Sequence, residues 1–372
     1  METELGKIAI TPLASVSERR GLEDTASEIQ IGPSVRLITT VALLGVVLVL
    51  VILISVSLGA VHIPLRALCL GLFRPHARLS ETESAILFAV RLPRVLASAI
   101  VGAALAVSGL MFQGLFRNPM ADPYIIGASG GAGLGACIGI VFFSQIAAFG
   151  FSATALLAFL GSVLTMIVVY SLARSRGRTS GVTLLLAGFA VGTMLSNSTY
   201  LFEIFDPNGT SGARIVGAWL HGVIGIPQWQ QLVVTSCMLA AGILLAFPLM
   251  RRLNTLALGD EYADQLGMRV EGTRIGIILV GSLLTALAVS LGGLISFAGL
   301  IVPHVARLLL GPDHVRLLPV TALSGAIFLV VTDTLARTLF APSEIPVGIL
   351  MVFLGGPFFL YLLRKNKREY AL

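Results

Sequence analysis

The chain has 372 residues, of which 56% are hydrophobic and only 12% charged, and its mean hydropathy is +0.94. Soluble domains average roughly 45–50% apolar and about 25% charged residues, so this composition excludes an ordinary soluble domain and indicates a membrane protein. The formal net charge of +6 is therefore interpreted through membrane topology and not as a nucleic-acid-binding charge. Three widely spaced cysteines, Cys69, Cys137 and Cys237, predict neither a metal site nor a disulfide framework.

The chain begins with a polar segment and continues with about ten apolar segments. Residues 1–34 have mixed charge and are interpreted as a mobile cytoplasmic tail, and residues 35–372 as one transmembrane domain. A membrane crossing needs about 20 apolar residues. Segments near that length lie at 37–61, 92–112, 124–146, 151–172, 183–203, 230–250, 275–291, 294–310, 316–336 and 345–363. An all-α, polytopic bundle of about ten transmembrane helices is predicted, packed as one body because several turns are very short.

The basic residues indicate how these helices are oriented. If the N-terminus lies inside, 18 of the 25 lysines and arginines fall on cytoplasmic segments. Cytoplasmic loops of membrane proteins carry an excess of Lys and Arg, so both termini are predicted to be cytoplasmic. Seven arginines then fall on the outer side, where some other role must retain them: Arg66, Arg74, Arg78, Arg91, Arg94, Arg214 and Arg337.

Two outer arginines belong to the sequence RLPR, Arg91 to Arg94, and Arg337 lies near the outer end of the ninth apolar segment. Arg337 can pair with Asp333 one helical turn earlier, an interaction that contributes roughly a few tenths of a kcal/mol. Alternatively, these arginines present guanidinium groups to carboxylates of a soluble partner, because arginine binds carboxylates bidentately. The residues themselves leave both interpretations open.

The segment QGLFRNPMADPYIIGASGGAGLG, residues 113–135, contains a series of small residues. Gly127, Gly131 and Gly135 recur every fourth residue and predict a helix face that a neighbouring backbone approaches closely. A nucleotide-binding P-loop is excluded, because none of the three lysines follows the glycine pattern of a Walker A motif. The tetrapeptide GASG with His304 as a base also fits an intramembrane serine protease. Small residues are common in packed membrane helices, which favours packing.

The longest cytoplasmic interruption after the tail is the loop at about 251–274, which is too polar to span a membrane. Its pattern predicts a short helix with an apolar side and an acidic side: Leu258, Tyr262 and Leu266, and Asp260, Glu261 and Asp264. A helix lying on the bilayer is disfavoured, since anionic head groups repel the acidic cluster. The sequence therefore predicts that this loop binds a protein partner.

The motifs occur in the order of a known family. RLPR is followed by GAALAVSGLMFQGLFRNPMADPYIIGASGGAG, LLLAGFAVG, LALGDEYADQLG, GGLISFAGLIVPHVARLL, DHVRLLPVTALSGA and SEIPVG. A set of motifs in a fixed order is far more specific than any single short motif. Over residues 37–365 the chain resembles the FecCD-type permeases, the membrane subunits of type II ABC importers for vitamin B12, haem and iron(III)-siderophores.

The resemblance implies roles for residues at both membrane faces. The outer arginines Arg91, Arg94 and Arg337 match those that meet glutamates of the periplasmic binding protein in the vitamin B12 importer. The loop from Leu256 to Gly267 matches the coupling helices that dock onto the ATPase. Six of its residues are assigned to this coupling: Leu258, Gly259, Glu261, Ala263, Leu266 and Gly267.

Two cytoplasmic gate regions are also implied by the resemblance. Asn118, Pro119 and Met120 match a turn that helps close the path, with methionine in place of the more usual leucine. Gly181 and Val182 occupy the region of the second gate, which is polar in the vitamin B12 importer. Because of this departure, the resemblance does not assign the contacts at the second gate.

The resemblance finally implies the partners and the mechanism. The expected assembly has a second copy of the permease, two ATPase subunits that carry ATP and Mg²⁺, and a periplasmic or lipid-anchored binding protein. It lies among the lipids of a bacterial or archaeal inner membrane. The chain itself is expected to bind no metal, cofactor or nucleic acid and to move an iron complex, haem or cobalamin without covalent chemistry.

One alternative from another class follows from an acidic residue in an apolar segment. In a proton- or sodium-coupled secondary transporter, Asp333 would be the titrating group inside the membrane. Arg337 lies one helical turn away, which favours a permanent ion pair over a proton carrier.

Overall fold

The computed structural model describes residues 33–59, 80–148, 150–175, 178–204, 210–341 and 343–366. The predicted tail at 1–34 lies almost wholly outside the described residues. The chain divides into two units, Met1–Thr40 and Val41–Leu372. The described part of the first unit is the beginning of a helix, in which the hydroxyl of Thr40 donates a hydrogen bond to the carbonyl oxygen of Arg36 at 2.8 Å.

Helices make up most of the described chain. In order they are α1 (Pro33–Ser57), α2 (Glu81–Ala85), α3 (Leu92–Leu115), α4 (Ala128–Phe143), α5 (Ala153–Ala173), α6 (Gly181–Ile204), α7 (Thr210–Leu220), α8 (Trp229–Leu256), α9 (Asp260–Gln265), α10 (Val270–Gly292), α11 (Ala298–Leu310), α12 (His314–Thr338) and α13 (Val347–Asn366). A π-helix, Ile86–Arg91, joins α2 to α3, and a 3-10 helix, Pro123–Ile126, precedes α4.

Two short antiparallel hairpins complete the fold. The first pairs β1 (Ala147–Ala148) with β2 (Phe151–Ser152), and the second pairs β3 (Arg174–Ser175) with β4 (Arg178–Thr179). They stand at opposite ends of α5, which begins directly after β2 and ends directly before β3. The side chain of Ser152 accepts a hydrogen bond from the backbone N–H of Ala155 and so caps the beginning of α5.

Every one of the ten predicted apolar segments contains a helix, so the predicted all-α membrane bundle is confirmed. Eight helical segments of the described chain are long and apolar enough to cross a membrane. The other two, α4 with 16 residues and α11 with 13, are shorter. At 1.5 Å per residue they extend about 24 and 20 Å, less than a hydrocarbon core of about 30 Å. One end of each therefore lies within the depth of the membrane.

Helix α3 forms the centre of the bundle, and nearly all of its residues are buried. It packs against α10 and α12, and glycines bring the backbones together. A Cβ atom added at Gly102 would overlap the carbonyl oxygen of Gly325 on α12. The predicted glycine face on α4 is confirmed in the same way, because a Cβ atom at Gly131 would overlap the carbonyl oxygen of Gly161 on α5. Close backbone contact thus takes the place of large side chains at these crossings.

Candidate functional site

The two ends of α3 mark two faces of the bundle. At its beginning lies the arginine face, defined by Arg91, Arg94 and Arg337. At its end, the turn 116–122 reaches helix α9 through an ion pair between Arg117 and Asp260, and this end is the α9 face. Functional residues predicted from the sequence lie at both faces.

A buried carboxylate organises the arginine face. Asp333 on α12 accepts hydrogen bonds from Arg94, at 3.2 Å from Nη2, and from Arg337, at 3.0 Å from Nε. Its side chain is only 1% exposed. Arg94 also donates from Nη1 to a carboxylate oxygen of Glu344 at 2.7 Å, and the Glu344 side chain is 52% exposed. Two guanidinium groups therefore hold the buried acid, and one of them continues to a carboxylate at the surface.

Further contacts of Arg91 and Arg337 tie this cluster to the end of α1. Arg91 is buried, and its Nη1 donates to the carbonyl oxygens of Val56 at 3.0 Å and Ser57 at 3.2 Å. Carbonyl groups in the last turn of a helix have no partner within the helix, so Arg91 satisfies two of them. Arg337 donates from Nη2 to the hydroxyl of Ser55 at 3.0 Å. The cluster thus holds α1, α3 and α12 together.

These contacts confirm one expectation and leave another as a prediction. Arg91, Arg94 and Arg337 are all buried and bonded within the chain, and their role as guanidinium forks for carboxylates of a partner stays a prediction. The pairing of Arg337 with Asp333 one turn earlier is present. The contact with Glu344 was not predicted, because the residue is 250 positions from Arg94 in the chain.

The first predicted gate lies in the turn after α3. Arg117 has a positive φ of 49°, a backbone conformation that is rare for a side-chain-bearing residue. The side chain of Asn118 accepts a hydrogen bond from the backbone N–H of Met120 at 2.9 Å, which closes the turn around Pro119. Asp122 accepts from the N–H of Tyr124 at 2.9 Å and so caps the 3-10 helix. The turn is held by its own side chains and has a defined shape.

Polar contacts connect this turn to α9 and to the second predicted gate. Asp260, the first residue of α9, accepts from Arg117 at 2.8 Å and from Arg274 at 2.5 Å. Arg274 also donates to the carbonyl oxygen of Thr179 at 2.8 Å. The hydroxyl of Thr179 in turn donates to Glu271 at 2.6 Å. Gly181 and Val182 follow Thr179 closely, so both predicted gate regions and α9 belong to one network of polar contacts.

Helix α9 exposes the apolar side that was predicted for it. Leu258, Tyr262 and Leu266 are 65%, 65% and 70% exposed, whereas Ala263 is fully buried against the bundle. Glu261 is also exposed. Gly259 and Gly267 bracket the helix with φ angles of 122° and 78°. Tyr262 in this six-residue helix and Leu258 and Leu266 beside its two ends form an exposed apolar surface next to an acidic residue.

A further exposed strip lies on α6 and was not predicted. Although the helix is long and apolar enough to cross a membrane, Thr193, Ser196, Asn197 and Tyr200 are exposed along it. The amide of Asn197 donates to the carbonyl oxygen of Thr193 at 2.8 Å. Polar side chains inside a membrane face a partner helix or a water-filled cavity and not lipid. We call these four residues the α6 strip. The strip is therefore expected to face protein or water and not lipid.

Among the described residues, no group of three or more His, Cys, Asp and Glu side chains could hold a metal ion. His304, the residue suggested as a base for Ser129, packs its ring edge-on against the ring of Phe358 on α13, with 5.9 Å between centroids. Ser129 lies in the first turn of α4.

Comparisons with known proteins agree with this architecture. The family model described as the FecCD transport family matches residues 47–365. The hemin transport system permease protein HmuU of Yersinia pestis is 37% identical over 333 residues, 88% of this chain and 96% of that protein. The cobalamin import system permease protein BtuC of Halobacterium salinarum is 42% identical over 289 residues, 77% of this chain and 75% of that protein.

Further relatives and a solved structure extend the comparison. The iron(3+)-hydroxamate import system permease protein FhuB of Bacillus subtilis is 38% identical over 317 residues, 85% of this chain and 80% of that protein. A solved structure described as an inward-facing conformation of a metal-chelate type ABC transporter matches with a TM-score of 0.75 and 30% identity. The match covers 87% of this chain and 98% of that one.

Proposed function

The chain belongs to the FecCD transport family, and we propose that it is the permease subunit of an ATP-driven importer that carries a metal chelate across the cell membrane. The relatives are permeases for hemin, cobalamin and iron(3+)-hydroxamate. Energy comes from a separate ATPase pair that binds ATP and Mg²⁺, while this chain provides the path and performs no covalent chemistry.

The observation that carries the proposal is the surface of α9. Tyr262 on α9 and Leu258 and Leu266 beside its ends are exposed, and the first residue of the helix, Asp260, is joined to Arg117 and Arg274. A partner that covers the apolar side moves a helix that is tied to both gate regions. Ala263 anchors α9 on the bundle, and the glycines at 259 and 267 allow the chain to turn sharply at each end.

The gates open by rearrangement of this network. Asn118, Pro119 and Met120 follow Arg117 directly, and Gly181 and Val182 follow Thr179. When the ATPases close and displace α9, the contacts of Asp260 pull on the first turn through Arg117 and on the second through Arg274. The ion pair between Arg117 and Asp260 is about half exposed, so its loss has a small cost.

The path itself lies between two copies of the chain, because the α6 strip needs a polar cover. Two copies related by a two-fold axis place the same surface of each opposite the other. The exposed hydroxyl and amide groups of Thr193, Ser196, Asn197 and Tyr200 then line a hydrated passage. The remaining apolar residues of α6 that are exposed in one copy, including Phe189 and Met194, pack against the partner or the cargo.

A binding protein delivers the cargo at the arginine face. The cluster contains three arginines, Arg91, Arg94 and Arg337, and two carboxylates, Asp333 and Glu344, which leaves one positive charge in excess. Glu344 is half exposed and bonded to Nη1 of Arg94. A carboxylate of the partner takes the place of Glu344 when the two proteins dock, which reconciles a buried arginine with a docking role.

Secondary transport is disfavoured by the surroundings of Asp333. The carboxylate is buried and bonded to two guanidinium groups, and removal of its charge would leave Arg337 without a counter-charge and Arg94 with Glu344 alone. Proteoliposomes that contain the permease, its ATPase and a loaded binding protein test the proposal. Uptake of the chelate against its concentration gradient should require ATP, and it should stop when the ATPase is inactivated. Uptake driven by a proton gradient in the absence of the ATPase would overturn it.

A further inference from the structure

A cleft of about 410 Å³ opens beside the break between α10 and α11. Its walls include the apolar residues Val352 and Phe353 of α13, which are mostly exposed, and the polar residues Tyr124, Ser129, His221 and Ser296. A volume of this size and a mainly apolar lining with a few polar groups are typical of small-molecule sites.

The floor of the cleft lies deep in the bundle. Helix α4 starts beside the cleft and ends at the side of the bundle where α5 begins, whereas α5 ends at the α9 face. Helix α11 instead ends at the α9 face, where Asp313 accepts a hydrogen bond from Asn254 at 2.7 Å. The starts of these two short helices meet, because the N–H of Ile295 donates to the hydroxyl of Tyr124 at 3.3 Å. Two helices that start together and leave towards opposite faces start within the membrane.

His221 follows the last residue of α7 and is fixed at its backbone. The next residue, Gly222, has a φ of 74°, and its carbonyl oxygen accepts from the N–H of Gly348 at 3.3 Å. A Cβ atom at Gly348 would overlap the carbonyl oxygen of His221. The backbone of His221 therefore packs tightly against the beginning of α13, while the imidazole ring of His221 is exposed along the cleft wall.

One hydrogen bond sets the chemistry of this ring. Nδ1 of His221 lies 2.6 Å from the carbonyl oxygen of Gly217. A carbonyl oxygen only accepts, so Nδ1 carries the proton, and in the neutral ring Nε2 keeps its lone pair. Histidines that bind metals have this arrangement, in which the second ring nitrogen donates to a backbone carbonyl and fixes the tautomer.

We propose that this cleft binds the transported chelate and that Nε2 of His221 coordinates its metal. The inference rests on the proposed function. A single protein nitrogen suffices only when the cargo brings its own ligands and leaves an axial position open, as a flat iron tetrapyrrole such as haem does. Nε2 donates its lone pair to the iron and an axial water leaves, and no proton or electron is transferred. Chelates that fill all six positions of the iron gain nothing from His221.

The rest of the cleft suits a flat ring with a polar edge. Val352 and Phe353 offer an apolar wall for the ring. The hydroxyl groups of Ser129 and Ser296 can donate hydrogen bonds to carboxylates at its edge. Asp122 accepts hydrogen bonds from the N–H groups of Tyr124 and Phe297, which fixes the two helix starts relative to each other before any cargo arrives.

The test compares two probes that share one shape. The permease with its ATPase, in lipid nanodiscs, is titrated with hemin and with metal-free protoporphyrin IX, and empty nanodiscs correct for partition into lipid. Wild type should show the absorption spectrum of histidine-coordinated haem and bind hemin about ten-fold more tightly than the metal-free ring. His221→Ala and His221→Gln should lose the spectrum and the preference, whereas His314→Gln, at the α9 face, should keep both.

Two results would overturn the inference. One is a wild-type complex without histidine coordination, and the other is an unchanged preference for hemin in both folded His221 variants. ATP-driven uptake by the wild-type complex is measured in parallel with hemin and with a ferric hydroxamate. Uptake of the hydroxamate without histidine coordination of hemin refutes the site and leaves the proposed function intact. Coordination of hemin without any ATP-driven uptake refutes the proposed function and leaves the site.

Discussion

The arginine face and the α9 face each bind an aspartate between two arginines, but in very different surroundings. Asp333, between Arg94 and Arg337, has a side chain that is 1% exposed. Asp260, between Arg117 and Arg274, has a side chain that is 45% exposed. The three central residue types are the same, and the exposure of the aspartate to water differs most.

This difference in exposure predicts a rigid joint between helices at the arginine face and a joint that can rearrange at the α9 face. A buried ion pair is costly to break, because the group that remains is a buried charge without a partner. An exposed pair contributes little, since water and salt replace each partner cheaply. The arginine cluster therefore holds α1, α3 and α12 in one arrangement, whereas the α9 network can change partners at small cost, as the proposed movement of α9 by an ATPase requires.

The largest expected effect is at the centre of the rigid joint. Asp333→Asn leaves the buried guanidinium group of Arg337 without a counter-charge and that of Arg94 with only the half-exposed Glu344, and we expect the free energy of unfolding to fall by about 3–5 kcal/mol. Thermal unfolding of the purified permease in detergent measures the change. Asp264→Asn, on the exposed side of α9, is the control and should alter the midpoint little. If the unfolding midpoint of Asp333→Asn were close to that of the wild type, the arginine cluster would not hold the helices rigidly.

The second prediction concerns the movable side. Gly267 has a φ of 78° and open space around it. Gly267→Leu should cost about 1–2 kcal/mol of stability through backbone strain and should abolish transport-coupled ATP hydrolysis, because α9 no longer seats its partner. Gly311→Leu is a matched control, since Gly311 also has a positive φ, of 85°, and open space. Equal loss of coupling in the two variants would show that strain alone is responsible.

Much of the fold could be predicted from the apolar segments, because each must bury or shield its backbone in a membrane. The pair between Arg337 and Asp333 was also accessible, since the residues lie four positions apart on one helix. The pair between Arg94 and Asp333 was not, because 239 positions separate the residues and only the packing of α3 against α12 joins them. The shortness of α4 and α11 depends on backbone turns at Gly127 and Phe297, which hydropathy does not report.

The candidate sites were predicted unevenly for the same reason. The composition of the loop at 251–274 identified the α9 surface, because an amphipathic pattern in a polar loop is a local signal. His221 gave no local signal, since a lone histidine in an apolar segment fits many roles. Its position beside Tyr124, Ser296 and Phe353 arises only from the meeting of four separate segments.

A third and smaller effect is expected where the arginine cluster reaches the surface. Glu344→Gln weakens the contact with Arg94 but keeps its shape, and half of that side chain is exposed, so stability should fall by less than about 1 kcal/mol. Capture of the loaded binding protein should become several-fold tighter at low salt, because Arg94 is freed for the partner's carboxylate. Glu81→Gln, also an exposed acid of the span that contains Arg94, is the control. Unchanged or weaker capture would argue against displacement of Glu344.

The smallest effect is expected for the pair between Arg117 and Asp260, and it gives the most direct contrast between the two faces. A double-mutant cycle with Arg117→Ala and Asp260→Ala should yield a coupling energy of about 0.2–1 kcal/mol, the range of exposed pairs. The matched cycle with Arg94→Ala and Asp333→Ala should yield a value several times larger. The dependence on salt provides a second comparison, because exposed charges are screened over about 10 Å at 0.1 M ionic strength and buried ones are screened much less.

Raising the salt concentration in both cycles should therefore reduce the first coupling energy towards zero and leave the second nearly unchanged. Unfolding midpoints of the four variants of each cycle, recorded in the same detergent, supply both numbers. If the two coupling energies were equal, or if both fell with salt to the same degree, exposure would not distinguish the joints. The α9 face would then be as rigid as the arginine face, and an ATPase that acts on α9 would have to move the bundle as one body.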